Sequence, residues 1–470
     1  MRVALWLLQD SIQQWSSWIA GLYYVQHCVE ALATLPASES PQVVAFFPES
    51  LGPKVEETLS WRSFPWLTLV PIADRLLQEP HQQDHLAALI DGYACDLVFP
   101  VMVPPVVALS GRVIGWITDF QHKVYPDFFS PEELTYRDKL FAFLGAICDR
   151  MVCSSHSVAA DLQRFLPDME DRHFVLRFTV QPPPAALAVD CQATLQRLGL
   201  SRPYAYLPYQ FWAHKNHRRV FEAWQILASR GHRFPLICSG ATVDPRRPAH
   251  VPSLVAFLAE HQLDDCVRVL GLVDRQDQWQ LYRGAKLVLQ PSLFEGWSTS
   301  VEEARSLGKP IVLSDIPVHR EQMGDTGHYF PAEDPILLAD LIETLWERLP
   351  DAHNPAQEHA ALRDQEQRVQ AFGRQLLGLF QQTLAFQRER VAAQVLPLYT
   401  LMHEEAKQRL TVIQRLSTRI QELERAVAAS RGDSEGRTSP NPAQVSEEGH
   451  SACLKRGWRR LRAAWRGTHI

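Results

Sequence analysis

The sequence lacks the features that mark several common classes of protein. Its 8 cysteines are scattered through 470 residues without a CxxC pair, so it predicts neither a zinc site nor a disulfide framework, and we expect reduced thiols. No apolar run approaches the ~18 residues that a membrane-spanning helix needs. The opening stretch, MRVALWLLQDSIQQW, has too short an apolar run for a signal peptide. Together these absences favour a cytoplasmic location.

An excess of positive charge is also missing. The formal net charge is −6, which gives no reason to expect a nucleic-acid partner. Hydrophobic residues make up 46% and charged residues 21% of the chain, as in globular proteins with apolar cores. The length suggests two or three domains.

Short apolar runs alternate with stretches of helical periodicity along most of the chain. This alternation is typical of α/β folds with parallel sheets. In the first part, we predict strands at 2–8, 43–47, 67–70, 96–100, 113–118 and 151–153. A segment rich in proline, QPPP at 181–184, interrupts the pattern and predicts a linker before a second sheet begins near residue 202.

The most informative stretch is residues 290–316, QPSLFEGWSTSVEEARSLGKPIVLSDI. The apolar run 287–289 predicts a buried strand, and 311–313 predicts a second one. Between them Ser298, Thr299 and Ser300 all suit a helix N-cap, and Gly308 suits the helix end. A helix that begins beside the carboxyl end of a strand provides a site for an anion.

Two carboxylates flank the predicted helix start. Glu295 lies in the turn and Glu303 lies in the helix, with seven residues between them. A carboxylate can accept hydrogen bonds from both hydroxyls of a vicinal diol. A diphosphate at the helix start, a diol at one glutamate and a second sugar at the other describe a nucleotide-sugar.

This stretch resembles the paired-glutamate motif of retaining family-4 glycosyltransferases, which have the GT-B architecture of two Rossmann-like domains facing a cleft. The segment 117–134, ITDFQHKVYPDFFSPEEL, resembles the DxQH element of a sub-group of that family. The resemblance implies that Glu303 binds the donor ribose and that Glu295 lies beside the transferred sugar. It also implies that His122 lines the cleft near the donor sugar and the acceptor.

The resemblance implies further donor contacts. HKNH at 214–217 is similar to the family's phosphate-binding loop, with Lys215 on the diphosphate and His214 adding charge. The family usually has an arginine about five residues before the lysine, where this sequence has Gln210. A glycine in the first strand-to-helix loop, here Gly21, would let the backbone approach the phosphates. The donor-binding residues implied in total are Gly21, His214, Lys215, Ser239, Gly271, Gly296, Ser298, Thr299, Ser300 and Glu303.

Neither a metal nor another cofactor is expected. No aspartate pair resembling a metal-binding DxD stands at a predicted strand end. The loops with Ser239 and Gly271 would hold the nucleotide base largely through their backbone, so the side chains do not specify the base.

The predicted domains follow from these segments. Residues 1–180 form a Rossmann-like acceptor domain, 181–200 a linker, 201–350 a Rossmann-like donor domain, and 351–392 helices that cross back to the first domain. Residues 393–429 carry a short heptad-like stripe, which suits either packing on the enzyme or coiled-coil association. Residues 430–470 are predicted to be a disordered linker followed by a basic amphipathic end.

The end of the chain is basic. Residues 454–470 contain six Lys or Arg and no acid, and Trp458, Leu461 and Trp465 share one helical face. Such a segment suits the surface of an anionic membrane, and the alternative is a disordered tail that keeps the protein soluble.

The sequence therefore predicts a metal-independent retaining hexosyltransferase of bacterial surface-polysaccharide or glycoconjugate synthesis. It would use GDP-mannose or a UDP-sugar and a saccharide or lipid-linked acceptor, in the cytoplasm or peripherally on the inner face of the plasma membrane. Two alternatives stay open. One is a nucleotide-sugar epimerase on the same fold, and the other is a non-catalytic scaffold, for which Gln210 is the support.

Overall fold

Two parallel β-sheets form the frame of the protein in the computed structural model. The structure describes residues 1–7, 19–53, 55, 64–77, 82–102, 112–200, 203–351 and 354–386. These residues belong to one compact unit that spans 1–390. The heptad-like stripe and the basic tail predicted from the sequence lie outside the described residues.

The first sheet, as far as it is described, has seven strands in the order β3-β2-β1-β4-β5-β6-β7, and every pairing is parallel. Most of its central strand residues are buried, as expected of a sheet covered by helices on both faces. The strands are β1 Arg2–Trp6, β2 Gln42–Pro48, β3 Leu67–Ile72, β4 Leu97–Val101, β5 Arg112–Ile117, β6 Arg150–Cys153 and β7 His173–Val175.

The second sheet repeats this topology. Its described strands follow the order β10-β9-β8-β11-β12-β13, again all parallel. The strand order reverses direction once in each sheet, between β1 and β4 in the first and between β8 and β11 in the second, so each has a switch point where ligands bind in such folds. The strands are β8 Ala205–Pro208, β9 Leu236–Ser239, β10 Val267–Val269, β11 Leu287–Gln290, β12 Ile311–Ser314 and β13 His328–Phe330.

Helices connect these strands. Those up to residue 197 are α1 Ile19–Leu32, α2 Gln82–Gly92, α3 Gln121–Val124, α4 Pro131–Ile147, α5 His156–Phe165, α6 Pro184–Ala188 and α7 Cys191–Arg197. The remaining described helices are α8 His217–Ser229, α9 His250–Glu260, α10 Arg275–Gly284, α11 Thr299–Ser306, α12 Pro317–Met323, α13 Pro335–Arg348 and α14 Pro355–Ala385.

Local sequence signals explain several helix starts. Ser130 accepts a hydrogen bond from the backbone of Glu133, whose side chain accepts one in return, and Pro131 occupies the first helical position of α4. Asp334 likewise caps α13.

The long helix α14 returns from the second sheet to the first domain and packs against α1. A Cβ atom on Gly373 would lie 2.3 Å from the carbonyl oxygen of Ala31, so only glycine permits this close crossing. Gln365 donates to the carbonyl oxygen of Val180 at 2.8 Å. The helix therefore ties the domains together behind the cleft.

The predicted α/β fold with two Rossmann-like domains is confirmed. The stretch predicted as a linker is not wholly extended, because α6 and α7 lie within it, and α7 packs on α10. No helix among the described residues is long and apolar enough to cross a membrane.

Candidate functional site

The two domains meet where β5 and β11 end. A Cβ atom added to Gly296 would lie 1.9 Å from the carbonyl oxygen of Thr118, so a glycine is required at this approach. Next to it, the Tyr125 hydroxyl donates to the carbonyl oxygen of Leu293 at 3.4 Å. The DFQH loop of the first domain and the paired-glutamate loop of the second are therefore in direct contact.

The helix α11 begins at this junction. The Ser298 side chain caps it by accepting a hydrogen bond from the backbone of Val301 at 3.4 Å. Gln290, at the end of β11, donates through its side-chain nitrogen to both Ser298 and Glu295 at 3.0 Å. Thr299 and Ser300 follow as the first half-buried helical residues. Strand end, turn and helix start thus form one hydrogen-bonded unit.

Glu295 is buried beside a cation. Its side chain is 10% exposed, and the Nζ atom of Lys215 lies 2.5 Å from its Oε1 atom. Burial opposes ionisation of this carboxyl, but the charge of Lys215 and its hydrogen bond to the carboxylate outweigh that effect and hold the pKa of Glu295 below its ordinary value. Glu295 is therefore a carboxylate at neutral pH.

The HKNH loop is shaped by Asn216. This residue has a φ of 59°, in the left-handed region. Its side chain donates to the carbonyl oxygens of Pro291 and Ala332 at 3.0 and 2.8 Å. The Leu293 N–H donates to the His214 carbonyl oxygen at 2.8 Å. These bonds hold Lys215 against the paired-glutamate loop, a role for Asn216 that sequence reasoning missed.

His214 does not supply the charge expected of it. Burial, and then the charge of Lys215, lower the pKa of His214 to about 3. The imidazole is therefore neutral at physiological pH and can offer only hydrogen bonds. The positive charge of this loop comes from Lys215.

Glu303 has partners that the sequence did not indicate. It is 2% exposed and accepts a hydrogen bond from the Tyr282 hydroxyl at 2.7 Å. The guanidinium of Arg275 lies 2.5 Å from its other oxygen and also packs over the Trp279 ring at 4.7 Å. Arg275 is the first residue of α10, and Asp274 before it caps the helix. This cap is the local sequence signal for a helix that begins at Arg275.

Gly21 lies in the first turn of α1 rather than in a loop. This position near the helix start agrees with the sequence, and its approach to the donor phosphates stays a prediction. Tyr23, in the same helical turn, contacts the second domain. The centre of its ring lies 5.0 Å from the Arg275 guanidinium. Through Arg275, α1 is linked to Glu303.

Ser239 ends β9, and Gly271 lies two residues after the end of the neighbouring strand β10. The Ser239 hydroxyl lies 2.7 Å from that of Tyr206, and both groups are buried. The Gly240 N–H donates to the Gly271 carbonyl oxygen at 2.8 Å. A Cβ atom on Gly240 would lie 2.1 Å from the Tyr209 carbonyl oxygen, whereas one on Gly271 would meet no atom within 4 Å. It is therefore Gly240, and not Gly271, that must be a glycine to avoid a clash with a neighbouring residue.

His122 lies on the first-domain side, in the short helix α3. Its Nε2 atom lies 3.0 Å from Asp138 and its ring packs edge-on against Phe141. Burial lowers the pKa of His122, the charge of Arg137 lowers it further, and Asp138 offsets these effects in part. Asp138 and Arg137 come from α4 and were not singled out from the sequence.

The structure thus brings Glu295, Lys215, His214 and Ser298 together around one helix start. It places Glu303 further along that helix and His122 on the facing domain. No group of three or more His, Cys, Asp or Glu that could hold a metal ion occurs within the described ranges.

Comparison with known proteins relates the second domain to a sequence family. Residues 207–348 match the sequence model of the family described as glycosyl transferases group 1. This region contains nearly all of the second sheet, with the HKNH loop and both glutamates.

Three curated relatives resemble parts of the chain. The O-antigen chain mannosyltransferase B of Escherichia coli is 29% identical over 175 residues, 36% of this chain and 45% of that protein. The O-antigen chain mannosyltransferase RfbU of Salmonella typhimurium is 26% identical over 162 residues, 34% of this chain and 43% of that protein. The D-inositol 3-phosphate glycosyltransferase of Corynebacterium efficiens is 32% identical over 114 residues, 23% of this chain and 26% of that protein. The chain matches less than half the length of each.

Solved structures show the fold. The Anabaena HepE protein in complex with UDP-glucose aligns with a TM-score of 0.57 and 15% identity, over 81% of this chain and 100% of that one. Sucrose-phosphate synthase from Thermosynechococcus elongatus aligns with a TM-score of 0.55 and 17% identity, over 82% and 99%.

The fold is therefore GT-B, as the sequence predicts. The domain that carries both glutamates is similar to the group 1 glycosyl transferases.

Proposed function

We propose that the protein is a retaining glycosyltransferase that moves a hexose from a nucleotide-diphosphate sugar to a saccharide or lipid-linked acceptor. The pathway would be the synthesis of a bacterial surface polysaccharide or glycoconjugate. The observation that carries this proposal is the placement of Glu295 and Glu303. Glu295, 10% exposed, lies in the turn before α11, Glu303 is buried within that helix, and each is paired with a cation.

Each part of the donor, namely the diphosphate, the ribose and the transferred sugar, would have its own binding residues in this arrangement. Its diphosphate would lie at the start of α11, where the dipole and the first-turn N–H groups favour an anion, within reach of Lys215. The ribose diol would hydrogen-bond to Glu303, and the transferred sugar would lie beside Glu295. His122, neutral and held by Asp138, would hydrogen-bond a hydroxyl of that sugar from the first domain.

The chain's own groups would stabilise the leaving diphosphate. As the bond to the anomeric carbon breaks, negative charge grows on the diphosphate, where Lys215 and the helix start provide fixed positive charge. No metal is needed in this scheme. Glu295 would orient the donor sugar. The acceptor hydroxyl would form the new bond to the anomeric carbon on the face that the diphosphate leaves, and its proton would pass to the leaving phosphate oxygen, without a covalent intermediate on Glu295.

The donor is proposed from the relatives. Two of those described are named as mannosyltransferases, and the HepE structure holds UDP-glucose. GDP-mannose and UDP-glucose are therefore the first donors to test.

The test is turnover of these donors with and without a saccharide acceptor. We expect one donor to release its nucleoside diphosphate, faster with acceptor, and Glu295→Gln to lower the rate at least 100-fold. Nuclear magnetic resonance of the product would show the same anomeric configuration as the donor. Conversion of the donor sugar without an acceptor would instead indicate an epimerase. No turnover of any donor, with the Glu295 variant indistinguishable from wild type, would indicate a scaffold.

A further inference from the structure

Two arginines from different domains converge on one aromatic ring. The guanidinium of Arg137, from α4 of the first domain, lies 4.8 Å from the centre of the Phe129 ring. The guanidinium of Arg246, from the loop that follows β9 of the second domain, lies 4.3 Å from the same centre. Like charges repel, so this convergence is unfavourable unless negative charge is shared between them.

Only part of that negative charge comes from the protein. Arg246 lies 3.3 Å from Glu133, which also serves the capping box of α4. In the described part of the chain, no carboxylate lies within ion-pairing distance of Arg137. Asp119 and Glu133 favour its charged form from beyond that distance.

Arg137 is also partly removed from water. Burial is the largest effect and lowers the pKa of the Arg137 guanidinium; Arg246 lowers it further, while Asp119 and Glu133 offset these effects in part. A desolvated guanidinium without a carboxylate partner is costly, and an anionic ligand would remove that cost. Guanidinium groups bind phosphate oxygens through two parallel hydrogen bonds, which suits a pair of arginines better than lysines.

The position of the pair relates it to the proposed reaction. Arg137 precedes Asp138, the residue that holds His122, and its charge acts on His122. Arg246 packs over Trp212 at 5.4 Å and acts on His214. Arg137 therefore lies near the first-domain histidine and Arg246 near the HKNH loop.

We propose that Arg137 and Arg246 bind a phosphate group carried by the acceptor. This inference rests on the proposed function and adds the class of acceptor: a phosphorylated saccharide, or one joined to a lipid through phosphate. The donor's diphosphate has its own cation and helix start at Lys215 and α11. The first domain contributes one arginine and the second domain the other, so the acceptor phosphate would bridge the domains.

The test uses the full chain and inorganic phosphate as the probe. Calorimetry would measure phosphate binding to wild type, Arg137→Gln and Arg246→Gln, with and without a saturating nucleoside diphosphate. Arg233→Gln is the matched control, because Arg233 pairs with Asp265 at the protein surface. Melting curves would establish that each variant folds. The variant Arg137→Lys keeps the positive charge but removes the two parallel hydrogen bonds of the guanidinium, so it separates the effect of charge from that of geometry.

We expect wild type and the control to bind phosphate while nucleotide is bound, and both glutamine variants to lose at least 10-fold in affinity. The variants would bind nucleotide as wild type does. Phosphate binding that nucleotide abolishes would assign the arginines to the donor and overturn the inference. Unchanged phosphate binding in both variants would also overturn it. Failure of the proposed function is a separate result, namely no nucleotide binding to wild type.

Discussion

Lys215 and Glu295 form an ion pair with 2.5 Å between ammonium and carboxylate, although 80 residues separate them in the sequence. The lysine ends the short turn Ala213–Lys215 and the glutamate lies in the loop after β11. This pair joins the two loops of the proposed donor site. It should therefore affect the stability of these loops and the charge that they present to the donor.

The pair can be tested by a double-mutant cycle. Lys215→Met leaves the buried Glu295 carboxylate without its cation and should lower the free energy of unfolding by about 2 kcal/mol. Adding Glu295→Gln should recover much of that loss, because the second change removes the uncompensated charge. Urea denaturation of the four proteins measures the coupling, and strictly additive effects would contradict a direct pair.

Gly296→Ala tests the contact between the domains. The new methyl group would clash with the Thr118 carbonyl oxygen, so the two loops must separate. We expect donor turnover to fall at least 100-fold, with a lower melting temperature. Gly92→Ala is the control, because a Cβ atom there meets nothing within 4 Å. Equal activity of the two variants would show that the loop contact is not needed.

The neutral His214 predicts how stability depends on pH. The pKa of histidine is about 6.5 in the unfolded chain and about 3 for His214 in the folded protein. Between these values the unfolded chain binds an extra proton, so this contribution to stability is complete above about pH 6.5 and decreases as the pH falls towards 3.

His214→Asn should therefore flatten the fall in stability below pH 6.5. His359→Gln, a change at an exposed helical position, should leave the curve as it is. Denaturation at a series of pH values gives the slopes. A wild-type slope retained by the His214 variant would assign the acid sensitivity to other groups, of which buried His217 and His319 are the first to examine.

The basic end of the chain gives a prediction of its own. We propose that residues 454–470 bind anionic membranes, with Trp458 and Trp465 entering the interface. The full chain should sediment with vesicles that contain phosphatidylglycerol and not with neutral ones. Replacing both tryptophans by serine should weaken that binding at least 10-fold. If the variant sedimented with these vesicles as strongly as wild type, the binding would be due to charge alone and the tryptophans would have no part in it.

The fold and part of the site could be predicted because their signals are local. Ser298 caps α11, the run 287–289 forms most of β11, and the spacing of Glu295 and Glu303 reflects one turn and one helix. Each signal lies within a few residues of the structure that it specifies. Propensity and capping act over the same range.

The partners of those residues could not be predicted in the same way. Arg275 is 28 positions before Glu303, and Arg246 and Arg137 lie in different domains. Their contacts depend on strand order and domain packing, which one sequence does not specify. Tertiary burial also determined that His214 is neutral, whereas the sequence showed only a histidine beside a lysine.

The central claim, a nucleotide-sugar site at the paired glutamates, is tested most directly by titrating UDP and GDP into the protein. Calorimetry would compare wild type with Glu303→Ala and Lys215→Ala. We predict that one nucleotide binds wild type and that each substitution weakens it at least 10-fold, through the ribose for Glu303 and the diphosphate for Lys215. Binding that both variants retain at wild-type strength would contradict the account, and so would no binding of any nucleotide to wild type.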